Sequence, residues 1–374
     1  METLSLMPWN WQQPDWPNFR WDAARIAPAE QSFLLAAGAS FGAVKHLDKS
    51  EHIQLIIESM GTEAVTTSEI EGEILDRASV QSSIQRQLGL IANQRRISPA
   101  EAGIAEMMVD LYRSSSEQLS AQMLFRWHRQ LTNGRRDLKD IGRYRTSPEP
   151  MQIVSGPIGS EKVHFQAPPS AQVPAQMQQF IAWFNRTEVP DGGPLPALTR
   201  AGIAHLYFES IHPFEDGNGR IGRALAEKAL EQALGQPALT GLATTILSRR
   251  KEYYNTLEDA NKGNEISAWL AWFAAVALEA QKRTNAQIEF LIAKTKLMDR
   301  LRGHINARQQ KALLRMLREG PEGFEGGMSA GNYSTITGAS PATATRDLAA
   351  LVEAGALHRT GELRHARYFL RLAP

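Results

Sequence analysis

Between His212 and Arg223 the chain reads His-Pro-Phe-Glu-Asp-Gly-Asn-Gly-Arg-Ile-Gly-Arg. Each residue type brings its own chemistry. A histidine changes charge near neutrality and can take a proton from a hydroxyl. Asp216 offers carboxylate oxygens to a hard cation such as Mg²⁺. Gly217, Asn218 and Gly219 can take positive φ and point successive backbone N–H groups one way, which makes an anion cradle. The helix that follows adds unpaired N–H groups and the positive end of its dipole. Arg220 and Arg223 share one face of that helix, beside the cradle. The set suits a polyphosphate, with the arginines at its far end, Asp216 on a metal and His212 on a proton. A glycine-rich turn alone, or a histidine before proline alone, is ordinarily structural. Their convergence points to chemistry.

The span fits the pattern H-x-F-x-D-G-N-G-R-x-x-R without a mismatch and resembles the signature of the Fic family. Most Fic proteins transfer AMP from ATP to a protein hydroxyl. The resemblance implies His212 as general base, Asp216 as the Mg²⁺ ligand, and Gly217, Asn218 and Gly219 as the phosphate-binding turn. It implies Arg220 and Arg223, with Gly222 between them, on the β/γ end of the nucleotide, and Phe214 as a core anchor. The related Doc kinases carry a Lys-containing turn, which this chain lacks.

Three further stretches carry weaker signals. Thr67-Ser68-Glu69-Ile70-Glu71-Gly72 reads on its own as a solvated helix end. Thr67 and Glu71 share a face, and Gly72 is the stop. It also resembles the family's inhibitory motif, [S/T]-x-x-x-E-[G/N], which implies that Glu71 pairs with Arg223. Tyr253 to Asn261 reads as an amphipathic helix with Tyr253 and Leu257 inward. Its resemblance to the family's adenosine-side wall assigns Tyr254 to the nucleoside and Asn261 to the adenine edge or ribose. Residues 151–154 and 162–165 are β-rich and flank the turn of residues 155–160, a hairpin pattern. In Fic proteins such a hairpin is a flap that holds the target by strand addition. That assigns Ile153, Val154 and Val163 to target docking.

The elements that must position these residues are mostly helical. Ala201 to Ile211 is apolar on nearly every side except His205 and Glu209, so a buried central helix is expected. Pro213 stops it, because the residue before proline is pushed out of the α region. Ile221, Leu225, Ala229 and Leu230 mark the next helix. Met123, Leu124, Trp127, His128 and Leu131 form a stripe ended by Asn133-Gly134, with His128 a core residue. Val173 to Phe184, and Trp269 to Val276, give two more helices. Trp9, Trp11, Trp16 and Trp21, broken by Pro8, Pro14 and Pro17, predict an irregular arm that packs its rings on the body or presents them to a partner. The arm also resembles a domain of unassigned function found ahead of some Fic domains.

The expected fold is mainly α, a Fic-type helical core with a β-hairpin flap. Residues 1–95 form the arm and helical segment with the inhibitory motif, residues 96–290 the core, and residues 300–374 a separate unit. In that last unit Ser340-Pro341 caps a helix through Leu348 and Leu351, and Leu357 to Leu370 forms a hairpin. The order resembles a winged helix-turn-helix, with Thr343, Thr345 and Arg346 facing DNA and Arg359, Arg364 and Arg367 on the wing. A protein-interaction or dimerisation module stays open beside it.

The net charge is +1, from 41 basic and 40 acidic residues, so the whole chain has no steering field toward nucleic acid or membrane. The absence of cysteine excludes disulfides, a cysteine nucleophile and thiolate metal sites. No apolar run reaches a membrane span, and no secretory signal is visible, so the cytoplasm is the expected compartment. Three activities fit: AMP transfer with ATP and Mg²⁺ to a hydroxyl of a protein target, AMP removal with Glu71 positioning water, and a nucleotide-sensing regulator. A homodimer stays open.

Overall fold

The computed structural model describes residues 9–45, 47–90, 96–157, 160, 162–188, 195–235 and 240–372. Pro8, Ile158, Gly159 and the side chain of Arg364 lie outside the described residues. The fold is mainly α, as expected. The helices are α1 (Ala23–Val44), α2 (Lys49–Ile70), α3 (Arg77–Gln87), α4 (Pro99–Arg113) and α5 (Ala121–Leu131). A hairpin of β1 (Gln152–Ser155) and β2 (Lys162–Gln166) follows. Then come α6 (Val173–Arg186), α7 (Ala197–Ile211), α8 (Asn218–Leu234), α9 (Leu242–Ser248), α10 (Arg250–Ala260) and α11 (Ser267–Leu301). The chain closes with α12 (Ala307–Leu317), α13 (Ala330–Thr337), α14 (Pro341–Glu353), β3 (Leu357–Thr360) and β4 (Arg367–Leu370). Among the described residues no helix is long and apolar enough to cross a membrane.

Two compact units result, one of residues 1–38 and 50–283, the other of residues 39–49 and 284–374. In the first, every residue of α7 is buried. A helix buried on all sides leaves no face for water, so its neighbours wrap it and must also satisfy its few polar side chains. Trp127 of α5, Phe180 and Phe184 of α6, Leu225 of α8 and Trp269 of α11 belong to that one core. Polar side chains at helix starts fix where the wrapping helices begin. Ser98 accepts from the Glu101 N–H while Glu101 accepts from the Ser98 N–H, and Ser120 accepts from the Met123 N–H.

The tryptophan arm packs its rings on the body. Trp16 meets Phe19 and Tyr207 edge-on, with centroids 5.5 and 5.1 Å away, and Trp9 meets Phe165 at 5.5 Å. Asn10 is buried; its Nδ2 donates to Ser210 Oγ at 2.8 Å and its backbone N–H to Asn261 O at 2.7 Å. Trp11 donates from its indole to Gln166 O at 2.7 Å, which ties the arm to the hairpin.

The β1–β2 pair is antiparallel, with Ile153 opposite Phe165, Val154 opposite Val163 and an irregularity between Ile153 and Val154. Phe165 is buried, whereas Ile153, Val154 and Val163 are exposed. The second unit has its own core of Leu313, Met316, Tyr333, Leu348, Leu351 and Tyr368. There Asp347 accepts from Arg308 Nε and from the Tyr333 hydroxyl, both at 2.9 Å.

One backbone expectation holds and one needs correction. α7 stops before Pro213, with His212 outside the right-handed α region in a left-handed conformation, at φ 49° and ψ 62°. Proline excludes only the right-handed helix there, and the left-handed turn still lets the His212 N–H close the helix on Phe208 O at 3.0 Å. In the following turn only Gly217 has positive φ, at 81°, because α8 already begins at Asn218.

Candidate active site

The turn between α7 and α8 is held by side chains rather than by glycine freedom alone. Asn218 is buried; its Oδ1 accepts from the Phe214 N–H at 3.0 Å and its Nδ2 donates to Phe214 O at 2.9 Å. Phe214 is fully buried and stacks on the His128 ring at 4.3 Å, tilted by 9°. His128 Nδ1 accepts from the Gly142 N–H at 2.9 Å. Burial pushes His128 down to about 4, so the ring is neutral near pH 7. Arg145, also buried, donates from Nε to His212 O at 2.8 Å. The resulting frame fixes where α8 starts and where its first N–H groups point.

Thr67, Glu71 and Arg223 meet over that helix start. Arg223 donates from Nη2 to Glu71 Oε1 at 2.7 Å and to Thr67 O at 2.9 Å, and from Nε to Thr67 Oγ1 at 2.7 Å. Burial opposes the charge of Arg223, but the Glu71 carboxylate outweighs it and strengthens the guanidinium's hold on its protons. Gly72 takes a positive φ and ends the segment. The carboxylate lies so close to the first turn of α8 that a Cβ on Gly219 would stand 2.2 Å from Glu71 Oε1. Gly219 is therefore open ground on which an anionic group sits.

Two partners escaped the sequence reading here. Glu73 Oε2 accepts from Arg220 Nη1 at 2.8 Å. Arg220 also donates from Nη2 to Asp216 Oδ1 at 3.1 Å, and Arg135 donates to Asp216 Oδ2. The Gly217 N–H donates to Asp216 Oδ1 at 2.5 Å. Burial raises the carboxyl of Asp216, yet Arg220 and Arg135 outweigh it and hold it below the usual carboxylate range. Glu73 stands among charged neighbours with no motif, and Arg135 lies far from Asp216 in sequence; only its place just past Asn133-Gly134 marked it.

His212 is mostly covered, with its Nδ1 3.6 Å from Glu209 Oε2. Tyr254 is part-exposed; its hydroxyl donates to Ile70 O at 3.2 Å and Arg250 lies 5.7 Å over its ring. Asn261 is buried, and its Oδ1 accepts from the hydroxyl of Ser210, at the end of α7, at 3.1 Å. The exposed Ile153, Val154 and Val163 sit on a hairpin tethered to α10. His164 contacts Ser155 Oγ through Nε2 and Glu258 Oε2 through Nδ1, both at 2.6 Å.

Among the described residues no three His, Asp or Glu side chains are placed to hold a metal. A single accessible, ionised carboxylate beside a phosphate cradle still fits Mg²⁺, which keeps waters and takes its remaining oxygens from phosphates. Asp216, part-exposed and held below the usual carboxylate range, has that chemistry, with Arg135 on one of its oxygens and Arg220 and the Gly217 N–H on the other.

Residues 118–230 match the Fic/DOC family, and residues 9–90 match a domain of unknown function (DUF4172). The chain is similar to the protein adenylyltransferase fic-1 of Caenorhabditis elegans, 26% identical over 205 residues, 53% of this chain and 36% of that one. It is 31% identical over 99 residues to a probable protein adenylyltransferase of Aquifex aeolicus, 26% of this chain and 27% of that one. The matched parts thus span well under half the length of these relatives. A solved Fic family protein from Desulfovibrio desulfuricans G20 aligns with a TM-score of 0.51 and 22% identity, over 92% of this chain and 96% of that one. A Fic-domain signaling protein from Bacteroides thetaiotaomicron VPI-5482 aligns with a TM-score of 0.51 and 17% identity, over 69% of this chain and 97% of that one. At these identities the likeness to the solved structures is one of fold.

Proposed function

We propose that this chain, whose residues 118–230 match the Fic/DOC family, transfers AMP from ATP to a hydroxyl of a protein target and rests in an inhibited state. The observation that carries the reading is the Glu71 carboxylate, seated against Gly219 and bonded to Arg223 at 2.7 Å. An anion-binding turn with two arginines has its own carboxylates where a triphosphate's oxygens belong.

In the transfer, His212 takes the proton from the incoming hydroxyl. The oxygen forms its bond to the α-phosphorus as the bond to pyrophosphate breaks. The N–H groups at the start of α8, with Arg220 and Arg223, hold the phosphates in line and offset their growing charge. Asp216 would hold Mg²⁺, which supplies positive charge to the phosphate oxygens. Phe214, anchored on His128, keeps His212 and the cradle in one rigid frame. Tyr254, on the rim, supports a nucleoside contact, and exposed Ile153, Val154 and Val163 support docking of an extended target on the hairpin.

Incubation with ATP labelled on the α-phosphate tests the reading. Label should pass to protein, weakly with the native chain and strongly with Glu71→Gly. Release of label from already modified protein would favour AMP removal. Label retained only as bound ATP would favour a nucleotide sensor.

The second unit supports a contact with duplex DNA. α13 and α14 are joined by the short turn of residues 338–340, and Thr345, Arg346 and Arg359 are exposed around them. Arg346→Ala should weaken binding of a DNA duplex at low salt, and binding should fall as salt rises. A native chain that ignores duplex at low salt would return this unit to protein interaction.

A further inference from the structure

α7 is buried along its whole length, and a buried carboxylate on such a helix has to be explained. Glu209 has that position. Among the described residues its Oε1 finds no hydrogen-bond partner, and its Oε2 lies 3.6 Å from His212 Nδ1. That distance is too long for a hydrogen bond in the resting state. His212 Nδ1 is itself buried and, among the described residues, without a hydrogen-bond partner. Two complementary groups, each unsatisfied, therefore face each other one helical turn apart.

The surroundings preserve the pairing. Gly222 of α8 packs on it, and a Cβ there would stand 2.6 Å from Glu209 Oε1 and 3.0 Å from His205 Nδ1. His205, one turn earlier on α7, points its Nδ1 at the same glycine and commits its Nε2 to the Tyr253 hydroxyl at 2.9 Å. Burial pushes His205 down, so it stays neutral. Burial raises the carboxyl of Glu209, but the neighbouring His212 and Arg223 outweigh it and hold it below the usual carboxylate range. The left-handed backbone of His212, pinned by Arg145 at its carbonyl, carries the imidazole back over its own helix end.

We propose that Glu209 is a positioning residue for His212: it accepts the Nδ1 proton, which leaves Nε2 unprotonated as the base, and closes to a charge-assisted bond when the ring gains its second proton. The proton balance is simple. Nε2 takes the hydroxyl proton, Nδ1 keeps its own, and Glu209 stays ionised throughout. The logic is that of any base oriented by a third group. The inference rests on the reading of His212 as base, but its first test does not need activity.

The ring ¹⁵N shifts of His212, assigned by their loss in His212→Gln, report the tautomer in the full-length native chain. In the neutral ring His212 should carry its proton on Nδ1. Finding it on Nε2 overturns the proposal without any variant. Glu209→Leu should shift the proton toward Nε2, while Glu209→Gln, whose amide oxygen still accepts, should keep it on Nδ1. In a Glu71→Gly background, Glu209→Leu should lower kcat by on the order of tenfold or more, with the KM for ATP unchanged and Glu209→Gln in between. An unchanged tautomer and kcat in a folded Glu209→Leu chain would sink the assignment. A tautomer that responds as expected in a chain that never transfers AMP would leave Glu209 in place and overturn the proposed activity instead.

Discussion

Glu71 Oε1 lies 2.7 Å from Arg223 Nη2, and Thr67 occupies the Nε side of the same guanidinium at 2.7 Å. The fork that would grip a phosphate is taken by one six-residue stretch of the chain. A charge-assisted contact of this kind is worth roughly 1.5–3 kcal/mol. Glu71→Gly should therefore raise AMP transfer about tenfold to a hundredfold. Joining it with Arg223→Ala should lose the gain. Incorporation of α-labelled phosphate into protein measures both, and equal labelling by native chain and Glu71→Gly would reduce the contact to an ordinary helix end.

Glu73 should act as a second, weaker plug through its 2.8 Å bond to Arg220. Its side chain is more exposed than that of Glu71, so water screens the pair. Glu73→Gln should raise transfer only a few-fold. The two changes should not add simply, because the residues share one segment. A Glu73→Gln chain with native apparent KM for ATP and native rate would show that Arg220 is not obstructed.

His212→Ala in the Glu71→Gly background should lower transfer by at least ~10²-fold, the scale of a lost general base. ATP binding, followed by calorimetry, should survive because the phosphate contacts lie on α8. Retained transfer would overturn the assigned mechanism.

Asn218 should matter for stability apart from any ligand. Asn218→Ala removes two bonds to the Phe214 backbone, at 3.0 and 2.9 Å, and leaves both backbone groups buried. A loss of about 1–3 kcal/mol in urea unfolding is expected. An unchanged midpoint and slope would mean that the His128–Phe214 stack holds the turn unaided.

A pH effect should come from Glu63 of α2, which is buried against α8. Its Oε1 accepts from the Ala243 N–H at 2.5 Å. Burial pushes its carboxyl from 4.5 up to about 7, against the pull of Ala243 and Arg223. Burial and the Glu63 charge push up Glu227 nearby as well. A raised acid binds its proton in the folded chain where the unfolded chain has lost it. The contribution is fully present below pH 4.5 and is lost as pH rises through about 7. Glu63→Gln should flatten that loss in thermal melts between pH 5 and 8. The same slope in both chains would refute the assignment.

The site was legible where its determinants are contiguous. His212, Asp216, Gly217 and the arginines lie on one turn, so residue type and spacing placed them together. The facing of Glu71 and Arg223 came from family resemblance; periodicity gave Glu71 only a helix end. Arg135 and Asp216 are 81 positions apart, and no local rule joins residues brought together by tertiary packing. Asn218 was misjudged because its side chain, not its φ, shapes the turn. The end of α7 at His212 was legible because a proline forbids the right-handed helix before it, but which of the remaining conformations is adopted was not. Glu209 stood out as the acidic interruption of an apolar helix, but its partner needed the left-handed backbone to be seen.

Gly219 has a kinetic consequence. Its missing side chain leaves a seat that Glu71 already fills, while Glu73 and Asp216 hold Arg220. In the resting chain these guanidiniums are already neutralised by carboxylates of the same chain. In the proposed reaction a nucleotide therefore arrives by exchange, oxygen for oxygen, and not by filling an empty well. The rate at which residues 67–73 let go then sets the pace of entry, however high the nucleotide concentration.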